Sequence, residues 1–289
     1  YVLEYLAFFI YVSLWFLTHL RVKYDVIHVS NMPDFLVFSA LLPKLRGSKV
    51  LLDVHDPMPE LFCSKYGLRK NSAVVRLLAW QERVSVRFAD AVLTVSEEMR
   101  ERLERSSRSK RISVVMNLPH EQMFEHAVPR IGHSVEPGVF RILYTGTISE
   151  RYGLDLVVDA LPILRKRIPG IVLRLVGEGD QLPSLREQVA ELGVQDAVEF
   201  CGRVPLTQIS RMIAEADLGV SALVDDLHTD LCFVTKVAEY VALGLPTVVS
   251  RTRTMVNYYS DELVAFYEPG DPTSFESAVM RLYSDEALR

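Results

Sequence analysis

The strongest constraint on the fold is an alternation that runs through the chain. Short β-branched apolar runs take turns with longer amphipathic stretches; the pattern breaks once and then resumes. Before the break, strands are predicted at residues 25–30, 49–54, 91–95 and 112–116, with helices at 33–45, 72–88 and 96–105. Ser96 followed by Glu97 and Glu98 forms a helix start, a capping hydroxyl ahead of acids that suit the helix dipole. Pro119, Pro129, Gly132 and Pro137 mark the break, which reads as a linker over 121–138. Strands then follow at 140–144, 171–176, 197–201, 218–222 and 247–250, interleaved with helices at 153–167, 181–192, 206–214, 233–243 and 272–283. Nearly continuous apolar strands such as Val50-Leu51-Leu52 imply sheets covered on both faces, hence parallel α/β layers. The expectation is two doubly wound Rossmann-like domains, over 1–120 and 139–289. They would face each other across a cleft, with ligand at the C-terminal strand edges.

A length of 289 residues accommodates two such domains, and 49% hydrophobic against 24% charged residues supports sizeable cores rather than disorder. Cys63, Cys201 and Cys232 are widely spaced and form no CxxC pair, which argues against a zinc site or disulfide framework and suits a reducing compartment. The formal charge of −5 is unevenly shared. Up to Gly138 there are 18 Lys and Arg against 15 Asp and Glu; beyond it, 14 against 22. With no K/R-rich tract and no aromatic–basic interleaving, nucleic acid is not an expected partner.

The first twenty residues hold sixteen apolar ones, with only Glu4 charged. The stretch is about as long as a bilayer is thick, but it lacks the basic start and small-residue cleavage site of a signal peptide. Three readings stay open: a membrane span interrupted by Glu4, Ser13, Thr18 and His19, a helix lying on the membrane, or a helix buried in the fold. Arg21, Lys23, Lys44, Arg46 and Lys49 follow it and favour contact with anionic headgroups. The expected location is cytoplasmic, peripheral at the cytoplasmic membrane.

The segment from Val234 to Val249 carries the most chemistry. It reads as a helix stopped by Gly244 and followed by a buried strand. Lys236 lies in the first turn, where the dipole disfavours a cation unless an anion shares the site. Glu239 follows three residues later among small apolar neighbours, where a carboxylate needs donors such as a ribose diol. The plainer reading is an exposed Lys236–Glu239 helix pair worth ~0.2–0.5 kcal/mol.

This segment resembles the donor-binding helix of the family-4 retaining glycosyltransferases, which have the GT-B fold. Leu143-Tyr144-Thr145-Gly146-Thr147-Ile148-Ser149-Glu150-Arg151-Tyr152-Gly153-Leu154 resembles the loop that opens their C-terminal domain. Leu175-Val176-Gly177-Glu178-Gly179 and Val198–Val204 resemble the next two strand ends, and Tyr24–Val29 and Leu52–Glu60 resemble the acceptor side of the N-terminal domain. Together the motifs run in order from about Tyr24 to Arg289. Because such a domain begins with a strand and Gly-rich loop, and the family ends on further helices, the chain reads as a piece of a longer protein.

The resemblance implies retaining transfer of a sugar from a nucleotide-diphosphate donor, a UDP- or GDP-sugar, to a lipid-linked or glycan hydroxyl in cell-envelope polysaccharide or glycolipid synthesis. No separate cofactor is implied. Glu239 matches the second Glu of the family's Glu-x7-Glu motif, which holds the ribose; the first falls on Leu231, a departure. Tyr152 stands where many relatives carry a phosphate-pairing Lys, leaving Arg151 and Lys236 to neutralise the diphosphate beside Gly146 and the helix start at Thr235. His55, at a strand end, matches a His that faces the donor sugar. Asp56 before Pro57 reads instead as a helix N-cap, and His28 as structural. Asp225, Asp226, His228 and Asp230 read as solvated loop rather than a metal site. With Leu231 at the first acidic position, front-side attack, in which the leaving phosphate helps deprotonate the acceptor, is favoured over a covalent intermediate. The same departures support an alternative, a catalytically weakened nucleotide-sugar-binding or membrane-scaffolding protein. No G-x-G-x-x-G follows a strand, which argues against a dehydrogenase.

Overall fold

A computed structural model describes residues 2–107, 112–119 and 137–285. The chain divides into two compact units, Tyr1–Asn117 with Leu231–Phe233, and Leu118–Asp230 with Val234–Arg289. Apart from residues 137 and 138, the expected linker lies outside the described residues.

The first unit runs α1 (Val2–Thr18), β1 (Val26–Ser30), a 3-10 helix (Asp34–Ala40) leading into α2 (Leu41–Leu45), β2 (Lys49–Val54), α3 (Met58–Tyr66), α4 (Ala73–Phe88), β3 (Ala91–Thr94), α5 (Glu97–Ser107) and β4 (Ile112–Val114). Its strands form one parallel sheet in the order β1-β2-β3-β4. Val50, Leu52 and Val54 alternate inward along β2 and pack with Val37, Ala40, Val86, Val92, Met99 and Leu103. Each such side chain contributes about 1.5–3 kcal/mol by leaving water. The helix expected over 33–45 is 3-10 for most of its length. Pro43 has no N–H to offer residue 39, which confines α-helix to the last turn. Ser96 caps α5 as expected, its Oγ accepting from the Met99 amide at 3.2 Å. Asp56 is not the cap of α3: the cap position is Pro57, and the Asp56 carbonyl accepts instead from Asn31 Nδ2 at 2.6 Å.

Helix α1 does not become core. Phe9 meets Phe35 edge-on at 5.7 Å and Phe16 meets Tyr24 at 5.6 Å, yet Leu3, Phe8, Ile10, Tyr11, Leu14 and Leu17 stay exposed. Among the described residues, no helix is long and apolar enough to cross a membrane. Of the basic residues that follow, Lys44 pairs with Asp90 at 2.6 Å and Arg46 donates to the Leu20 carbonyl.

The second unit runs β5 (Phe140–Thr145), α6 (Leu154–Arg167), β6 (Ile171–Val176), α7 (Leu182–Glu191), β7 (Val198–Gly202), α8 (Leu206–Ala214), β8 (Leu218–Ser221), α9 (Thr235–Ala242), β9 (Thr247–Ser250), α10 (Arg253–Tyr258), β10 (Ala265–Tyr267) and α11 (Pro272–Ser284). All six strands are parallel in the order β10-β9-β8-β5-β6-β7. β5, β8 and β9 are buried along their whole length, as sheet centres covered on both faces must be. The chain winds outward from β5 to β7, then returns to lay β8 on the other side of β5. The winding direction therefore reverses between β5 and β8, and a doubly wound sheet leaves its ligand crevice outside the C-terminal ends of those two strands.

Candidate functional site

Four of the residues singled out from the sequence, Gly146, Arg151, Thr235 and Lys236, gather where the winding reverses, with Glu239 one helical turn further along α9. Gly146 follows β5 with φ +129, a conformation that favours glycine, and lies exposed. A Cβ there would come within 3.2 Å of Lys236 Nζ. Gly153 caps α6 at φ +57, and a Cβ on it would fall 2.0 Å from the Ala222 carbonyl, just past β8. That backbone approach, which only glycine permits, draws the short 3-10 turn Glu150–Tyr152 in toward the end of β8.

Thr235 opens α9 exposed, and the turn then buries Lys236, which is 8% exposed. Among the described residues the ammonium has no hydrogen-bond partner. It sits over two ring faces instead, 3.6 Å from the Tyr144 centroid and 4.6 Å from that of Tyr152. Such cation–π contacts are worth about 2 kcal/mol when desolvated, and they offset only part of the cost of burial. Burial accordingly holds the Lys236 pKa well below its ordinary value; Glu239 pulls it back up, and Arg151 pushes it further down. Arg151 places its guanidinium carbon 5.1 Å from the same Tyr152 ring. Two cations thus converge on one ring, and among the described residues no acid is hydrogen-bonded to either.

Glu239 is half-buried, and burial raises its carboxyl above the usual range, with Lys236 drawing it back. Nothing among the described residues hydrogen-bonds its carboxylate. The plainer reading of Lys236 and Glu239 as an exposed helix pair does not hold, because the amine is enclosed by rings.

His55 belongs to the other unit, one residue past β2. Its Nε2 lies 3.1 Å from Asp53 Oδ2 and its Nδ1 3.1 Å from Asn117 Nδ2, so both ring nitrogens are engaged. The amide of Asn117 can only donate to Nδ1, which leaves Nε2 carrying the proton toward Asp53. Asn31 fixes the turn beneath it by accepting from the His55 backbone amide at 2.9 Å. His28 reaches the same Asp53 oxygen at 3.1 Å. In the loop after β8, Asp226 accepts from the amides of His228 and Thr229 at 2.8 Å, and Asp230 from that of Arg253 at 3.2 Å; these acids shape the loop. Among the described residues no cluster of His, Cys, Asp or Glu has the arrangement of a metal site.

Sequence reasoning missed Tyr144 and Tyr152 as partners of Lys236, and Asp53, Asn31 and Asn117 around His55. The tyrosines flank the Gly146 loop in sequence, which is the one signal that could have marked them.

The sequence model described as glycosyl transferases group 1 matches residues 139–285, and that of the glycosyl transferase 4-like domain matches residues 4–117. A phosphatidylinositol N-acetylglucosaminyltransferase subunit from Arabidopsis thaliana is 23% identical over 269 residues, 91% of this chain and 55% of that protein. The chain spans about half, or less, of the length of the curated relatives it matches. Sucrose-phosphate synthase from Thermosynechococcus elongatus superposes with a TM-score of 0.74 at 20% identity, over 96% of this chain and 69% of that one. HepE from Anabaena, solved in complex with UDP and glucose, gives 0.71 at 17% identity, over 92% and 70%. At these identities the likeness is one of fold, that of the GT-B glycosyltransferases.

Proposed function

The chain belongs to the group 1 glycosyl transferases, and we propose that it moves a sugar, with retention, from a UDP- or GDP-sugar to a lipid-linked or glycan hydroxyl in envelope polysaccharide or glycolipid synthesis. One observation carries the donor reading: Lys236 and Arg151 converge on Tyr152, with no acid among the described residues hydrogen-bonded to either, at the start of α9 where the sheet reverses. An anion completes such a site. Departure of the nucleoside diphosphate builds negative charge on the leaving oxygen, and preorganised cations with the free N–H groups of the helix start stabilise it. Glu239, with no hydrogen-bond donor of its own, is proposed to take the ribose hydroxyls. His55 is proposed to exchange its Asn117 contact for a sugar hydroxyl. Leu231 supplies no carboxylate nucleophile, so the leaving phosphate is proposed to take the acceptor proton in a front-side attack.

Leu231 also favours a second reading, a nucleotide-sugar-binding protein with weakened catalysis, since it is buried in an apolar cluster where the family motif has an acid. Turnover measured with a panel of UDP- and GDP-sugars separates the two. Release of diphosphate from one donor with a product of retained anomeric configuration supports transfer. Binding without turnover supports the second reading, and neither binding nor turnover overturns both.

The exposed apolar side chains of α1, with Arg21 and Lys23 following, support docking on an anionic membrane surface from the cytoplasmic side.

A further inference from the structure

Tyr152 looks, from sequence, like a lost cation. Its surroundings give it a different role. The ring carries Lys236 Nζ at 4.6 Å and the Arg151 guanidinium carbon at 5.1 Å, while Tyr144 closes on Nζ at 3.6 Å. The Tyr144 hydroxyl donates to the Thr147 carbonyl at 2.5 Å, and Nζ, which makes no hydrogen bond among the described residues, meets Tyr144 at its ring face rather than at its oxygen. Tyr152 meets Tyr144 at 6.3 Å between centroids, 61° between planes, which makes the two rings a corner. Lys236 Nζ is buried in that corner, and among the described residues none of its three donors is used. Directly beside it lies Gly146, exposed and without a side chain, so that the amine is covered there by backbone alone.

Two like charges gathered on one ring repel each other, and the ring faces offset only part of the cost of holding them there. Burial chiefly lowers the Lys236 pKa, and the Arg151 charge adds to it against the opposing pull of Glu239. A ligand with two or more closely spaced negative oxygens is the chemistry that turns this repulsion into attraction.

We infer that Tyr152, with Tyr144, is a positioning residue whose π face gathers the Lys236 ammonium and the Arg151 guanidinium into a seat for the diphosphate group of the donor. The inference rests on the donor-site reading above and deepens it: the ring at 152 takes part in phosphate binding by holding cations, without itself touching phosphate.

The test uses the full chain with inorganic pyrophosphate, UDP, GDP and the two nucleosides, each by calorimetry. Tyr152→Leu keeps apolar bulk and removes the π face; Tyr152→Phe keeps the face and removes the hydroxyl. Tyr152→Leu is expected to weaken pyrophosphate and the diphosphate at least tenfold and the nucleoside less than twofold, with Tyr152→Phe within threefold of the unaltered chain. Melting curves of both variants establish that each is folded. Equal losses for nucleoside and diphosphate, no loss in a folded Tyr152→Leu, or a Phe variant as weak as Leu each overturn the seat while leaving the donor reading in place. Binding of pyrophosphate with no binding of either nucleotide keeps the seat and removes the donor reading. An unaltered chain that binds none of the anions overturns both.

Discussion

The Tyr240 hydroxyl lies 2.9 Å from both the backbone nitrogen and Oγ1 of Thr145, tying the middle of α9 to the last residue of β5. Tyr240 is fully buried, and its ring occupies the space that a side chain on Gly219 would fill, since a Cβ there would come within 2.5 Å of it. The helix that carries Lys236 and Glu239 is therefore pinned one turn beyond Lys236 to the strand whose end carries Gly146.

Removing that pin leaves the buried Thr145 amide without an acceptor. Tyr240→Phe is expected to destabilise the second unit by about 1–3 kcal/mol. Amide hydrogen exchange at Thr145 checks it, with loss of protection at that amide as the expected sign. Unchanged protection means the hydroxyl is not what holds the helix.

Glu239→Gln keeps the shape of the side chain and removes its charge. Donor affinity is expected to fall by roughly 1–3 kcal/mol, the range for a charged hydrogen bond. Calorimetry with the donor found by the turnover panel measures it, and unchanged affinity removes the ribose assignment.

The first unit holds a cluster of acids around one cation. Arg102 binds Glu60 in bidentate fashion at 2.7 and 2.9 Å and donates to Glu82 with its remaining nitrogen. Burial pushes Glu82 up to about 7 and Asp34 up to about 6, and each keeps one buried oxygen without a partner. Both folded values lie above the unfolded ones, so their protons favour the native state. That stability is present in full below about pH 4 and is lost as pH rises to about 7, on the order of 3 kcal/mol for Glu82. Glu82→Gln is expected to flatten the decline. Trp15 and Trp80 are the chain's two tryptophans and both lie in this unit, so urea denaturation followed by their fluorescence reports on it. The same pH slope in the variant rejects the Glu82 assignment.

Docking on an anionic surface predicts flotation with phosphatidylserine vesicles at low salt and release as salt rises, because exposed charges are screened within about 10 Å at 0.1 M. Flotation that ignores salt and lipid charge points to apolar adhesion through α1 alone. A chain that stays in the soluble fraction at low salt rejects docking.

Much of the architecture was legible because burial imposes periodicity. The runs 49–54, 171–176, 206–214 and 247–250 coincide with β2, β6, α8 and β9. β10 and α10 were passed over, being three and six residues long, too short for a period to develop. Helix α3 was expected only through its start, read one residue early at Asp56 before Pro57, where the cap is Pro57 itself. At the site, Lys236 and Glu239 stood out by type and spacing, but Tyr144, near the end of β5, and Tyr152, in the turn after it, belong to a different βα unit and meet Lys236 only through the pairing of β5 with β8. Asp34 and Glu82 are buried acids that the sequence did not mark, since nothing in a linear pattern distinguishes a buried acid from an exposed one.

The strand order has a kinetic consequence. β5 and β8 are joined by contacts such as the Arg141 amide donating to Asp217 Oδ2 at 2.8 Å, across 76 positions of chain. Neither the Gly146 loop nor α9 is assembled into a site until that distant pairing forms, and loop-closure entropy makes pairings of this span slow. During refolding, assembly of the corner around Lys236 therefore trails the appearance of secondary structure. Anything held by both segments favours only chains in which that pairing has formed.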